Sequence, residues 1–126
     1  MIIYWTYFFI SASVMVEAHV QDPPPHPLIG TWDVALYFSE EAPPSATIME
    51  IESVVEGVPV GTFYGSAFEE ARVITRDNMI IFTMTTSDNS GAYIHSGRLI
   101  DGEMDGQTLS VGRDFLMPWT AEVRTD

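Results

Sequence analysis

Residues 29–38 read IGTWDVALYF, and this stretch decides how the rest of the chain is interpreted. It begins with a glycine, a threonine and a tryptophan, and then apolar side chains recur at every second position. The side chains that share the apolar face are those of Trp32, Val34, Leu36 and Phe38. Because successive side chains of a strand point to opposite faces, this period predicts a β-strand with one buried face.

Towards the C-terminus, seven further runs have the composition of strands, and several of them show the same two-residue period. These predicted strands are residues 46–54, 58–65, 68–75, 79–86, 93–100, 103–111 and 115–124. The breaks between them carry turn residues such as Glu56-Gly57 and Asp101-Gly102, which are typical of tight hairpins. Loops this short join neighbouring antiparallel strands. We therefore predict an all-β fold, an eight-stranded antiparallel up-and-down (meander) β-barrel, with a two-sheet sandwich as the alternative.

Towards the N-terminus, the chain changes character twice. Residues 2–16 are apolar or small throughout, and a small residue, Ala18, follows them. This pattern predicts a secretory signal peptide over residues 1–18, with an uncleaved membrane anchor as the alternative. Residues 19–28 are rich in proline and predict an extended spacer before a barrel domain at 29–126. The expected location is secreted or periplasmic.

The composition excludes several classes of function. The 126 residues contain no cysteine, so a disulfide framework, a thiol nucleophile and a cysteine metal site are all excluded. The formal net charge is −13, which repels phosphate backbones and disfavours nucleic acid as a partner. Membrane contact is expected only through the N-terminal segment. No spacing of histidine and acidic residues indicates a metal site, and no cofactor is predicted.

The densest group of polar residues lies in the predicted hairpin at 83–98. His95 is the one histidine within the predicted barrel domain, and we consider it, Tyr93 and Asp88 as candidate catalytic residues. Strand alternation places Tyr93 and His95 on one face and Arg98 on the other, which argues against a pair formed by His95 and Arg98. The alternative is that His95 is a structural residue that makes ordinary hydrogen bonds.

Two local patterns predict details of the barrel. Gly97 and Gly106 interrupt predicted strands, which indicates a sharp bend or a close approach of another group to the backbone. Arg113 and Asp114 are adjacent in a predicted turn, and we expect them to form a local ion pair.

The chain resembles the calycin superfamily, which comprises lipocalins, fatty-acid-binding proteins and avidin-like barrels. The resemblance depends on Gly30-Thr31-Trp32 at the start of the first strand, on the eight-strand meander and on Arg124 near the end. It implies that Trp32 fills the closed end of a barrel and that Arg124 packs across it, with Gly30 as part of the motif. The sequence Gly61-Thr62-Phe63-Tyr64 also resembles the Gly-Thr-Tyr sequence found on the third strand of avidin-like proteins.

The resemblance implies that the interior or the mouth of the barrel binds a small molecule. It does not identify which residues of this chain would contact that molecule. We therefore expect an exported small barrel that binds a small, partly apolar ligand. The candidate ligand-binding side chains are Tyr64, Tyr93, His95, Gln107 and Trp119. The alternatives are a filled-barrel structural or interaction module of the cell envelope and a small barrel isomerase or cyclase.

Overall fold

The computed structural model describes residues 24–125, which form nine β-strands joined by short turns, without a helix in that range. The strands are β1 (Gly30–Leu36), β2 (Ser45–Val55), β3 (Val58–Phe63), β4 (Ser66–Ala67), β5 (Glu70–Arg76), β6 (Met79–Asp88), β7 (Gly91–Ile100), β8 (Glu103–Ser110) and β9 (Phe115–Val123). Within the described part of the chain there is accordingly no helical segment with the length and apolar character needed to cross a membrane.

All nine strands belong to one antiparallel sheet. Its order is β4-β3-β2-β1-β9-β8-β7-β6-β5, so neighbours in the sequence are neighbours in the sheet except for β4 and β5, which are its two edges, and the first strand also pairs with the last. Trp32 lies opposite Met49 of β2 on one side and Val123 of β9 on the other. The predicted all-β antiparallel fold is therefore confirmed.

The prediction of eight strands closed into a barrel differs from the structure in two ways. A ninth, two-residue strand follows the turn at Tyr64 and Gly65, whose φ angles of 55° and 84° reverse the chain sharply. That turn pairs β4 with the end of β3, and no ladder joins β3 or β4 to β5 in the described sheet. Separate backbone hydrogen bonds cross this gap, from Phe68 to Gly61 and from Val73 to Gly57, each 2.9 Å long. We call the gap between β3 and β5 the seam.

The inner face of the sheet holds the apolar core. Alternation in β1 buries Trp32, Val34 and Leu36 as predicted, whereas Phe38 lies beyond the strand and is 57% exposed. The rest of the core comes from the inward positions of the other long strands. It includes Met49, Ile51, Phe63, Phe82, Met84, Leu99, Met104, Met117, Trp119 and Ala121.

One end of this core is closed by the residues that precede β1. Leu28 is fully buried, and its carbonyl accepts a 2.9 Å hydrogen bond from the Trp32 indole N–H. His26 holds the turn, because its carbonyl accepts from the Ile29 amide. Leu28, the last residue of the predicted spacer, therefore packs in the core. The predicted signal peptide at 1–18 and spacer residues 19–23 lie outside the described residues.

Gly97 and Gly106 lie opposite each other on β7 and β8 and make room for large rings. A Cβ atom on Gly106 would lie 2.4 Å from Cζ2 of Trp119 and 2.4 Å from the Ser96 carbonyl oxygen. A Cβ on Gly97 would lie 2.5 Å from Cζ of Phe82. The predicted close approach at these glycines is confirmed, and it lets the two aromatic rings pack directly on the backbone of the sheet.

Candidate functional site

A cleft opens at the end of the sheet away from Leu28, where β1, β3, β6 and β8 finish and β7 and β9 start. Its volume is about 130 Å³. The apolar walls are Leu36, Phe63, Phe115 and Met117. The polar lining is formed by Ser66, Thr86, Tyr93, His95 and Thr108, and the rim by Phe38, Tyr64, Asp88 and Arg113. A mostly apolar hollow with a few converging polar groups is the usual form of a small-molecule site.

A chain of hydrogen bonds forms the polar floor of the cleft. The Trp119 indole N–H donates to Thr108 Oγ1 at 3.0 Å, and Thr108 Oγ1 lies 2.8 Å from His95 Nδ1. His95 Nε2 in turn lies 2.9 Å from Thr86 Oγ1. All four side chains are buried, and His95 is only 3% exposed. We call this series, from Trp119 to Thr86, the polar chain.

Strand register brings the members of the polar chain together. His95 on β7 lies directly opposite Thr108 on β8, and Met84, two positions before Thr86 on β6, lies opposite His95. Directly opposed and diagonal positions on one face of a sheet are within reach of long side chains. Because Thr86, His95 and Thr108 all point inward from three adjacent strands, the two threonine hydroxyls meet the two ring nitrogens of His95.

The polar chain allows two sets of proton positions. An indole nitrogen can only donate, so Thr108 Oγ1 accepts from Trp119. With the imidazole proton on Nε2, that nitrogen donates to Thr86 and the Thr108 hydroxyl donates to Nδ1; with the proton on Nδ1, that nitrogen donates to Thr108 and the Thr86 hydroxyl donates to Nε2. In either tautomer one threonine hydroxyl proton, on Thr86 or on Thr108, remains for a molecule in the cleft.

His95 is neutral at physiological pH in this environment. Burial lowers the pKa of its imidazole from 6.5 to about 4, because the charged form loses its hydration. The ring also stacks on Phe63, with centroids 4.1 Å apart and an interplanar angle of 21°. Both ring nitrogens are engaged by threonine hydroxyls, so the imidazole supplies fixed dipoles to the cleft and no free basic nitrogen.

Several predicted site residues meet at this cleft. Tyr64, Tyr93, His95 and Asp88 all line it, and Trp119 adjoins it through Thr108. Asp88 does not act on the imidazole: its Oδ1 accepts a 2.7 Å hydrogen bond from the Ser90 amide in the β6–β7 turn. Asp88 therefore makes no hydrogen bond to His95 among the contacts of residues 24–125.

The other predicted residues lie elsewhere. Gln107 is exposed on the outer face of β8, because Thr108 occupies the inward position, and it lies outside the cleft. Gly30 begins β1 with a φ of 149°, and Trp32 fills the end closed by Leu28. Arg124 forms an ion pair with Asp33 on the outer face of β1, at 2.5 Å from Nη2 to Oδ1. That arginine holds the pKa of the Asp33 carboxyl below its usual value, chiefly through the hydrogen bond.

Sequence reasoning missed Thr86, Arg113 and the apolar walls as parts of a site. Thr86 follows Phe82 and Met84 at two-residue spacing, so it is a polar residue in the inward phase of β6, which is a detectable signal. Arg113 was expected to pair with Asp114. Its guanidinium carbon instead lies 5.0 Å from the centroid of the Phe115 ring, over the mouth of the cleft.

The seam forms a second, wider hollow of about 660 Å³. It is lined by backbone edges and by side chains that include Val58, Val60, Glu69 and Arg72. No buried hydrogen-bonding side chain is among the residues that line it, and this distinguishes it from the cleft. The cleft therefore has the better-defined chemistry, although it is smaller.

No cluster of three or more histidine or acidic residues that could hold a metal ion occurs between residues 24 and 125. The cleft thus offers hydroxyls, one imidazole, one arginine and one carboxylate as its polar groups. Comparison of the chain with protein-family models, curated proteins and solved structures finds no match.

Proposed function

We propose that this protein binds a small, partly apolar molecule in the cleft above His95. The observation that carries the proposal is the polar chain, which ends at a hydroxyl on the floor of an otherwise apolar hollow. Burying four hydrogen-bonding side chains at one end of a core has a desolvation cost, which their mutual hydrogen bonds offset. Such an arrangement is useful where a ligand must be oriented by a hydrogen bond inside apolar walls.

The size of the cleft limits the ligand. An engineered apolar cavity of about 150 Å³ in another protein holds one benzene molecule. The cleft has about 130 Å³ and is open at its mouth, so we expect it to take a molecule with a single ring or an aliphatic chain of similar bulk. The exposed rings of Phe38 and Tyr64 at the rim would cover the outer part of that molecule.

The state of His95 favours binding over catalysis. A general base needs a nitrogen within reach of the substrate, and it works best with a pKa near the working pH. Both ring nitrogens of His95 are occupied by Thr86 and Thr108, and its pKa is about 4. We therefore place the isomerase or cyclase alternative behind ligand binding.

The proposal extends to the type of fold and the location. Pairing of the first strand with the last, in meander order, is what an up-and-down barrel of the calycin type requires, and the seam would be its incompletely paired side. The Gly30-Thr31-Trp32 motif supports that assignment. The apolar N-terminal run and the proline-rich segment after it are the basis for proposing an exported protein.

A second candidate is a structural or interaction module. It is favoured by the filled interior around Trp32, Phe82 and Trp119 and by large apolar side chains that remain exposed near the rim. Those exposed side chains are Phe38, Tyr64, Val111 and Leu116. An interaction module would use this rim as a contact surface and would leave the cleft empty.

Ligand-observed NMR with one-ring probes distinguishes the two candidates. Saturation transfer from the full chain to phenol and benzamide is measured for the wild type, for Ser66→Phe and for Thr75→Phe. Ser66 lines the cleft, so the Ser66→Phe side chain should fill it and abolish saturation transfer. Thr75 is exposed on β5 and does not line the cleft, so Thr75→Phe adds the same ring without blocking the site.

Binding that is lost only in Ser66→Phe supports a ligand site in the cleft. Saturation transfer that is equal in all three proteins, or absent from the wild type for both probes, would overturn the proposal.

A further inference from the structure

Arg113 is fixed at the mouth of the cleft by the turn between β8 and β9. Its amide donates to the hydroxyl of the buried Ser110 at 3.2 Å, and the Asp114 amide donates to the Ser110 carbonyl at 2.9 Å. Because Ser110 is almost inaccessible, these bonds anchor the turn to the core. The exposed side chain lies over the Phe115 ring, with its guanidinium carbon 5.0 Å from the ring centroid at the entrance of the cleft.

The charge of Arg113 has no acidic partner in the described structure. Ion pairs between residues 24 and 125 join Arg98 to Asp105 and Arg124 to Asp33, but none involves Arg113. This is unexpected in a chain with a net charge of −13, and more so with Asp114 as its neighbour. Asp114 has a φ of 58°, which turns the backbone between the two side chains. A guanidinium without an acidic partner, set against an aromatic ring, is well suited to receive an anion from outside.

The cleft is lined by one cationic and one acidic side chain. Burial keeps His95 neutral, so Arg113 is the one cation among the residues that line the cleft. Asp88 is the one acid there, and its carboxylate accepts the Ser90 amide in the β6–β7 turn. An incoming anion would therefore meet Arg113 as its charge partner and a threonine hydroxyl of the polar chain as a donor.

We propose that the molecule bound in the cleft is a small carboxylic acid, with its carboxylate on Arg113 and its apolar body between Phe63, Phe115 and Met117. This inference rests on the proposed function and names the class of ligand. The planar fork of arginine matches a carboxylate through two parallel N–H···O bonds. Arg113 carries a single positive charge, which suits a monocarboxylate better than a phosphate dianion.

Three probes of nearly equal shape test whether the cleft prefers a negatively charged ligand. Benzoate, benzamide and benzamidinium are negative, neutral and positive at pH 7, and each has one ring with a planar three-atom head. ¹⁵N–¹H correlation spectra of the full chain are recorded while each probe is added. Dissociation constants are taken from the amide resonances of cleft residues and from the Trp119 indole resonance. The same titrations are made with Arg113→Gln, Arg113→Lys and, as a matched control, Arg76→Gln, which removes an exposed arginine outside the cleft.

We expect benzoate to bind the wild type roughly ten- to hundredfold more tightly than benzamide, as for a charge-assisted hydrogen bond, and benzamidinium to bind most weakly. Arg113→Gln should remove this preference, Arg113→Lys should retain part of it, and Arg76→Gln should retain it in full. Equal binding of benzoate and benzamide, or tighter binding of benzamidinium, would overturn the inference and leave the proposed function intact. If no probe shifts the cleft resonances, both the inference and the proposed function are overturned.

Discussion

Acidification should destabilise this protein through His95. The imidazole titrates at about 4 in the folded chain, because it is buried, and at about 6.5 when the chain unfolds. Between these two values the unfolded chain binds a proton that the folded chain does not bind. Lower pH therefore favours unfolding, and the stability that neutral His95 contributes is present above pH 6.5 and is lost as the pH falls towards 4.

The magnitude follows from the two pKa values. For a single group with these constants, the free energy of unfolding should fall by about 2.5 kcal/mol between pH 7 and pH 4.5. That is a large fraction of the total stability of about 5–15 kcal/mol that is typical of a small domain. Acid also alters the repulsion within a chain of net charge −13, so the His95 contribution must be isolated as a difference between two proteins.

The assay is urea unfolding at pH 7, 5.5 and 4.5, for the wild type and for His95→Gln. Glutamine keeps hydrogen-bonding groups near Thr86 and Thr108 but does not titrate. The variant should be less stable than the wild type at pH 7, and the difference between the two proteins should shrink as the pH falls. Parallel losses of stability in both proteins would refute the reasoning, because they would show that His95 does not change its protonation on unfolding.

Three further substitutions test the core and the polar chain. Trp32→Ala should destabilise the domain by roughly 3–5 kcal/mol in urea unfolding, because it empties the end that Leu28 closes, and a loss below about 1 kcal/mol would contradict that role. Gly106→Ala should lower the Tm and broaden the Trp119 indole resonance, because the new Cβ meets the ring and a carbonyl; a Tm equal to that of the wild type would show that the close approach is not needed. Thr108→Val keeps the shape of the side chain but leaves the Trp119 N–H without its acceptor, so the free energy of unfolding should fall by about 1–3 kcal/mol. An unchanged value for Thr108→Val would mean that Trp119 finds another acceptor.

Strand positions and faces could be predicted because they depend on local pattern. The period in β1 predicts that Trp32, Val34 and Leu36 share the buried face, and the structure buries all three. The turn at Asp101 and Gly102 has φ angles of 52° and 82°, which the Asp-Gly sequence favours. Strand β4 could not be found in this way, because two residues contain no period.

The site could be predicted only in part, because it depends on register. His95 was recognisable as the one histidine of the predicted barrel domain, on the same strand face as Tyr93, but its partners are 9 and 13 residues away along the chain. Those partners are identified only when the pairing of β6, β7 and β8 is known. Arg113 was misread for a related reason: adjacency to Asp114 suggested an ion pair, whereas the turn geometry directs the guanidinium onto Phe115.

The most direct test of a ligand site in the cleft is a crystal structure of the chain soaked with 4-iodophenol. The anomalous signal of iodine gives the position of the ring directly, independently of how the ligand is built into the electron density. We predict that the strongest iodine position lies in the cleft, with the ring against Phe63 or Met117 and the phenol oxygen near Thr86. An empty cleft, with iodine in the seam between β3 and β5 or on the outer face of the sheet, would contradict the account.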